Sequence, residues 1–279
     1  MNNFSPGLYI VSTPIGNLND ITLRSLDVLK NSDIILCEDT RRSSKLLSHY
    51  KIKKKLVPYH KFNEKKELNK IIKHLNEGKI LSLISDAGTP IISDPGYLLI
   101  KECINNNIKI YPIPGASSIT ASMSVSGFED KFLFYGFLPK KEQELKKTLL
   151  SLKDVDFSII FFIPGIKINF YLKIFKVYFS GRNIFIAREL TKLHETHYRN
   201  NIDTIELFKS PLKGELTVVI SKKYNNNKIV NDSEIIKQAM KYLKKYSLKD
   251  VVELISNKEK ISKKEVYKIC LKIKNEKNF

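Results

Sequence analysis

The sequence predicts two α/β domains followed by a small helical extension. Three observations lead there. From Gly7 to Lys222, short apolar runs alternate with stretches of helical spacing. One of those runs, 79-KILSLIS-85, is apolar enough to be covered on both faces, as in a parallel sheet. Beyond the polar linker 223-KYNNNKIVND-232 only helical spacing remains.

The first domain is expected over 1–113. Residues 7-GLYIVST-13 read as a strand that ends at Pro14. A helix starts from the cap Thr22, with Leu23, Leu26 and Leu29 on one face. A strand follows at 33–38 and a helix at 40–50. Asn63 is placed to cap a helix bearing Leu68, Ile71, Ile72 and Leu75, which Gly78 ends. Strand 79–85, a helix over 96–106 and strand 108–113 complete an alternating, doubly wound layer.

After 112-PIPG-115 the pattern restarts, and a second domain is expected over 114–222. It has a helix over 116–126, strand 132–138, a lysine-rich helix over 140–152 and strand 157–162. A helix over 166–178 and strands 183–190 and 214–222 follow. Frequent Phe, Tyr and Val in these strands point to some mixed or antiparallel pairing. The extension, 223–279, reads as helices over 234–246, 248–255 and 262–274. The last two, joined by a polar turn from Asn257 to Ile261, read either as a small helix-turn-helix or as a packing element.

Bulk properties narrow the class. A chain of 279 residues with 42% hydrophobic content is globular. Neither a signal segment nor an apolar run of membrane length is present, so a soluble, cytoplasmic protein is expected. Cys37, Cys103 and Cys270 are far apart and without a CxxC, which argues against structural zinc and disulfides. The formal net charge of +19 favours a polyanionic partner such as nucleic acid. Only six of the 48 basic residues are Arg, so a general lysine bias is the competing reading.

Four segments leave strand ends, where open α/β sheets bind ligands. In 12-STPIGNLNDITLR-24, Pro14 and Gly16 force a turn that is either a plain connection or a binding loop. In 38-EDTRRSSKLL-47, Glu38 and Asp39 stand beside Arg41 and Arg42, as a surface ion pair or as an acid next to phosphate-binding arginines. In 84-ISDAGTPIISDPG-96, Gly88 and Gly96 let backbone approach a ligand without a Cβ in the way, and Asp86 and Asp94 supply acceptors. Neither GxxxxGK[ST] nor GxGxxG occurs. In 112-PIPGASSIT-120, Pro-Gly and small hydroxyl residues open a helix that reads either as a capped interdomain helix or as one that puts Ser117 and Ser118 at the cleft between the domains. His194 and His197 lack the spacing of a zinc protease, and no metal is expected.

Taken together, 9-YIVSTPIGNLNDITLR-24, 38-EDTR-41, 84-ISDAGTPIISDPG-96, 112-PIPGASSIT-120, 134-FYGFLP-139, 187-ARELTK-192 and 213-KGEL-216 resemble the ribosomal RNA small subunit methyltransferase I family of the tetrapyrrole methylase superfamily. The resemblance covers nearly the whole chain. It implies two α/β domains of the tetrapyrrole methylase type with the cofactor in the interdomain cleft. It implies S-adenosyl-L-methionine as methyl donor, a homodimer, and 2′-O-methylation of a cytidine ribose in the decoding region of 16S rRNA. The donor would lie against the backbone of Asp86, Ala87, Gly88 and Thr89, with Pro14, Gly16, Ser117, Ser118, Ala187 and Gly214 as further walls. Candidates for the chemistry are Glu38 or Asp39 as base, Arg41 on phosphate, and Glu189 or Lys192 near the nucleophile.

One segment departs from that pattern. Where the family reads Tyr-Glu-Ser-Pro-His-Arg or close to it, this chain has 162-FIPGIK-167, and only Lys167 keeps a charge. Two rival readings stand beside the methyltransferase: an rRNA-binding assembly factor with reduced or lost catalysis, and a porphyrinoid methylase.

Overall fold

The computed structural model describes residues 4–223, 232–259 and 262–277. Its first sheet joins β1 (Gly7–Val11), β2 (Ile34–Cys37), β3 (Lys55–Pro58), β4 (Ile80–Ile84) and β5 (Ile110–Ile113), all parallel, in the order β3-β2-β4-β1-β5. Helices α1 (Leu23–Asn31), α2 (Thr40–His49), α3 (Glu64–Asn76) and α4 (Tyr97–Asn105) cover it. Successive side chains of a strand point to opposite faces, and the core divides accordingly. Leu8, Ile34, Leu36, Leu81 and Leu83 pack with Ile71, Leu75 and Leu99 of α3 and α4. Tyr9, Val11, Ile35, Cys37 and Ile84 pack with Val28, Leu29 and Leu47 of α1 and α2. That two-sided burial is why these runs show no polar alternation.

The second sheet is mixed, as the strand composition predicts. It contains β6 (Phe132–Phe137), β7 (Ser158–Pro164), β8 (Asn183–Arg188), β9 (Thr196–Asn201) and β10 (Glu215–Ile220), in the order β6-β7-β10-β8-β9. β6 and β7 are parallel; the remaining pairs are antiparallel. One face packs on α6 (Glu142–Leu152) and α7 (Ile168–Tyr178). The other face, with Ile160, Phe185, Ala187 and Val219, packs on Met123 of α5 (Ser118–Ser126) and on Ile15.

Contacts group Met1–Lys222 into one compact unit and Lys223–Phe279 into another. The second unit holds α8 (Asp232–Tyr242), α9 (Leu248–Glu259) and α10 (Lys263–Lys277) around Ile235, Ala239, Val251, Ile255, Val266 and Cys270. Most of the 223–232 linker lies outside the described residues, as does part of the expected turn up to Ile261. Asn63 occupies the start of α3 but does not cap it with its side chain. Its Oδ1 accepts from the His60 N–H at 2.8 Å and its Nδ2 donates to Pro58 O, so it closes the preceding turn instead. All three cysteines are buried free thiols, and burial pushes Cys103 up to about 12.

Candidate active site

The C-terminal ends of β1 and β4 are tied to each other by their small polar residues. Thr13 and Gly88 exchange both backbone bonds, at 2.9 and 3.0 Å. Thr13 Oγ1 donates to Ser85 O at 3.2 Å, and Ser85 Oγ donates to Gly88 O at 3.2 Å. The Ser12 and Thr89 hydroxyls share a bond of 2.9 Å. These bonds fix the backbone of Asp86–Thr89 in one shape. The turn that follows is strained: Ile91 has φ 76° and Ser93 φ 70°, in the left-handed region. For a β-branched residue that conformation costs of order 1–3 kcal/mol and persists only where surroundings over-determine it. Gly96, at φ 132°, allows the close return, because a Cβ there would lie 2.8 Å from Ile91 Cγ1.

Three carboxylates converge beside this turn. Glu38 leaves β2, Asp86 leaves β4, and Asp94 closes the second turn; all three line the same cleft. Burial, then the charge of Asp86, pushes Glu38 above the usual carboxylate range. Burial, then Glu38 and Asp86, pushes Asp94 up to about 6. Asp86 is steadied by Arg42 at 3.3 Å and by the Asp39 N–H at 3.1 Å. Asp39 serves the helix instead of the cleft. It caps α2, accepting from the Arg41 N–H at 2.9 Å and from its guanidinium at 3.1 and 2.8 Å. Arg41 holds its carboxyl well below the usual range.

The opposite wall comes from the second sheet. Because β10 runs antiparallel to β7 and β8, its first residues meet the last residues of both: Leu216 faces Ile163 and Arg188. The wall therefore gathers Ala187, Glu189, Lys192, Gly214 and Glu215. Glu189 sits at φ 52° and accepts from Lys192 Nζ at 3.0 Å and from the Glu215 N–H at 3.0 Å. Burial raises its carboxyl, but those two bonds outweigh it and leave Glu189 lowered. Lys192 is likewise penalised by burial, and the carboxylates of Glu189 and Glu215 more than offset this, so it stays a cation. Gly16 shows why the first loop needs a glycine. A Cβ there would lie 2.5 Å from Lys192 Cγ and 2.8 Å from Leu190 O. Asn17 N–H adds a bond to Thr191 Oγ1 at 2.9 Å.

The resulting cleft has a volume of about 470 Å³, within the roughly 300–1,000 Å³ of small-molecule sites. The small residues Ala87, Gly88, Ala187 and Gly214, the serines Ser117 and Ser118, and apolar walls from Ile15, Ile119, Phe137 and Phe162 line it. The 162–167 segment is not a loop throughout. β7 runs on to Pro164, so Phe162, Ile163 and Pro164 give the cleft an apolar wall. Gly165 is buried against the 212–214 turn, with its N–H on Gly214 O at 2.9 Å. Among the described residues there is no group of three or more His, Cys, Asp or Glu that could hold a metal ion.

The profile of the tetrapyrrole (corrin/porphyrin) methylases matches residues 7–206. A Rickettsia prowazekii protein named Ribosomal RNA small subunit methyltransferase I is 44% identical over 96% of this chain and 97% of its own length. The chain belongs to the ribosomal RNA small subunit methyltransferase I family of tetrapyrrole methylases. A Thermotoga maritima member of the same name is 45% identical over 220 residues, which are 77% of this chain but 98% of that relative. Among solved structures, diphthine synthase shares the fold, with a TM-score of 0.60 at 15% identity over 77% of this chain and 89% of that one.

In this family member, the expected site residues Glu38, Asp86, Ala87, Gly88, Thr89, Ser117, Ser118, Ala187, Glu189, Lys192 and Gly214 come together around one cleft. Pro14, Gly16, Asp39 and Arg41 are not among the lining residues. Pro14 is buried behind the first loop, and Gly16 seats that loop on residues 190–192. Arg42 and Asp94, read from sequence as a phosphate-binding arginine and a ligand acceptor, also line the cleft, and so do Phe137, Phe162, Glu215 and Thr217, which were not assigned to it from sequence.

Proposed function

We propose that this chain transfers a methyl group from S-adenosyl-L-methionine to 16S rRNA of the small ribosomal subunit, at the ribose 2′-oxygen of a cytidine in the decoding region. The observation that carries this is the near full-length match to a relative named for small subunit rRNA methylation, on a chain whose strand ends form a single lined cleft. The donor suits the residues present. Small residues at Ala87, Gly88 and Ala187 leave room for close approach, and the apolar side chains suit a flat base. The sulfonium supplies an already activated methyl group, so the protein's task is mostly placement.

The chain's own residues divide the remaining work. Glu38, raised and inside the cleft, is the better proton acceptor for a ribose hydroxyl. Asp39 is poorly suited, being held ionised by Arg41 outside the lining. Lys192, kept cationic by Glu189 and Glu215, is suited to stabilise an oxyanion and not to act as base. The same reading places the protein in the cytoplasm as a homodimer. Supporting a second copy, the edge strand β6 leaves Phe132, Leu133, Tyr135 and Phe137 exposed.

The test is transfer of labelled methyl groups to small subunits that lack their native modifications, followed by mapping. Labelled 2′-O-methylcytidine in the decoding region is expected. Lys192→Met is expected to lower kcat about 10²-fold while subunit binding is retained. Subunit binding with no label from the unaltered chain would mean that catalysis has been lost, and the apolar wall at 162–164 would then be the first place to look.

A further inference from the structure

The second unit has a feature that its own fold does not require. Residues 223–279 carry fifteen lysines and seven acidic residues, a net of +8, so a fifth of the chain holds more than a third of its net charge. Helix α10 sorts its residues by face. Val266, Cys270 and Ile273 are buried in the three-helix core. On the other side Lys264, Lys268 and Lys272 are exposed at intervals of four residues, with Tyr267 and Leu271 exposed between them.

Like charges four apart on a helix face repel and destabilise it. Elsewhere this protein sets lysines against acids, as in Lys146 with Glu142 at 2.8 Å and Lys263 with Glu253 at 2.8 Å. Among the described residues, neither Lys264 nor Lys268 is paired with a carboxylate. A stripe that costs the helix stability and contributes nothing to the core is suited to an external polyanion.

A second, independent observation separates this unit from the chemistry. The cleft residues all lie in the first unit. The Thermotoga maritima relative is almost wholly accounted for by 220 matched residues, close to the length of the first unit alone. The methyltransferase body thus exists without such a unit.

We infer that the exposed face of α10 is a docking surface for the phosphate backbone of the substrate RNA, outside the catalytic cleft. This rests on the reading that the substrate is small-subunit rRNA. The lysines supply phosphate contacts, and Tyr267 offers a ring on which an unstacked base can lie. The unit tethers the enzyme to its substrate and leaves the reacting nucleotide to the cleft.

The experiment compares the full chain with Lys264→Glu/Lys268→Glu and with Lys264→Arg/Lys268→Arg, after circular dichroism has shown equal helicity. Binding of naked 16S rRNA is measured across a salt series, and methyl transfer to subunits is measured separately. The double Glu variant should bind rRNA at least tenfold more weakly. Its slope of log K against log salt should be shallower by roughly 1.5, from two lost contacts at about 0.7–0.9 each. KM for subunits should rise with kcat unchanged, and the Arg variant should restore both. Unchanged rRNA affinity and slope would overturn the inference. So would weaker binding to assembled subunits with unchanged binding to naked rRNA, since the surface would then serve a ribosomal protein. Failure of the functional reading itself would show differently, as absent methyl transfer by the unaltered chain while the binding comparison still reads out.

Discussion

Asp94 stands half-buried in the cleft wall, in the field of Glu38 and Asp86, with its carboxyl pushed up from 3.8 to about 6. Between those values the folded protein keeps a proton that the unfolded chain has released. Its stabilising contribution is therefore complete below about pH 3.8 and is lost as pH rises through about 6. Above that, an ionised Asp94 works against folding. The whole shift would correspond to about 3 kcal/mol, and solvent screening at this partly open site reduces it to about 1 kcal/mol. Asp94→Asn should accordingly raise the urea midpoint at about pH 7.5 and give no gain at about pH 4. A gain of equal size at both values would mean that packing, and not charge, is responsible. The strain at Ile91 and Ser93 belongs with this cost, because the turn that carries Asp94 into the cleft holds both of these non-glycine residues in the left-handed region.

Elements are joined by fewer residues than they contain, and Arg182 is one of the joints. It is 1% exposed, and its guanidinium donates to Ser221 O at 3.2 Å, Lys153 O at 2.6 Å and Val155 O at 2.9 Å. One side chain thereby ties the turn after α7 to the end of α6 and the exit of β10. Arg182→Met would leave three carbonyls without that donor, and a loss of about 3 kcal/mol in unfolding free energy is expected. A change below about 0.5 kcal/mol, the range of ordinary surface substitutions, would mean that water replaces the guanidinium. The elements legible in sequence were those with two buried faces or a clear amphipathic stripe. The two that escaped, β3 and β9, are edge strands. β3 is short and half-exposed, and β9, with Arg199, Asn200 and Asn201, has no apolar run. β9 carries the polar residues that guard an edge against unwanted pairing, and this erases its strand signal; β6, an edge strand rich in aromatics, keeps it. The cleft was legible for a related reason. Gly88 and Gly96, in turns that leave a strand, mark where backbone can come close, whereas Ala187 and Gly214 were assigned only through the family resemblance. Phe137, Phe162 and Glu215 carry no such mark, since only the pairing of β6, β7 and β10 brings them to the cleft. Asp39 and Arg41 lie outside the lining, and sequence alone does not separate a helix cap, which Asp39 is, from a binding acid.

At the scale of the whole molecule, the two units have separate cores, one on two sheets and one on three helices. Calorimetry of the full chain should show two transitions. The smaller, for 57 residues, should carry about 40 kcal/mol of enthalpy and come first. A single transition with matching calorimetric and van't Hoff enthalpies would mean that the units unfold as one. Topology adds a consequence for how the protein is made. β1 is synthesised well before its partners in the sheet, β4 and β5, and Gly7 meets Ile80. At roughly 5–20 residues per second the ribosome needs about 4–15 s to reach that partner. Through that interval Leu8, Tyr9 and Val11, all buried in the finished protein, have no sheet to enter. Translation that slows before Ile80 prolongs the exposure, and translation that slows after Ile113, when all five strands exist, does not. The nascent chain's vulnerability to aggregation or to chaperone capture is thus set by codons well downstream of the strand at risk.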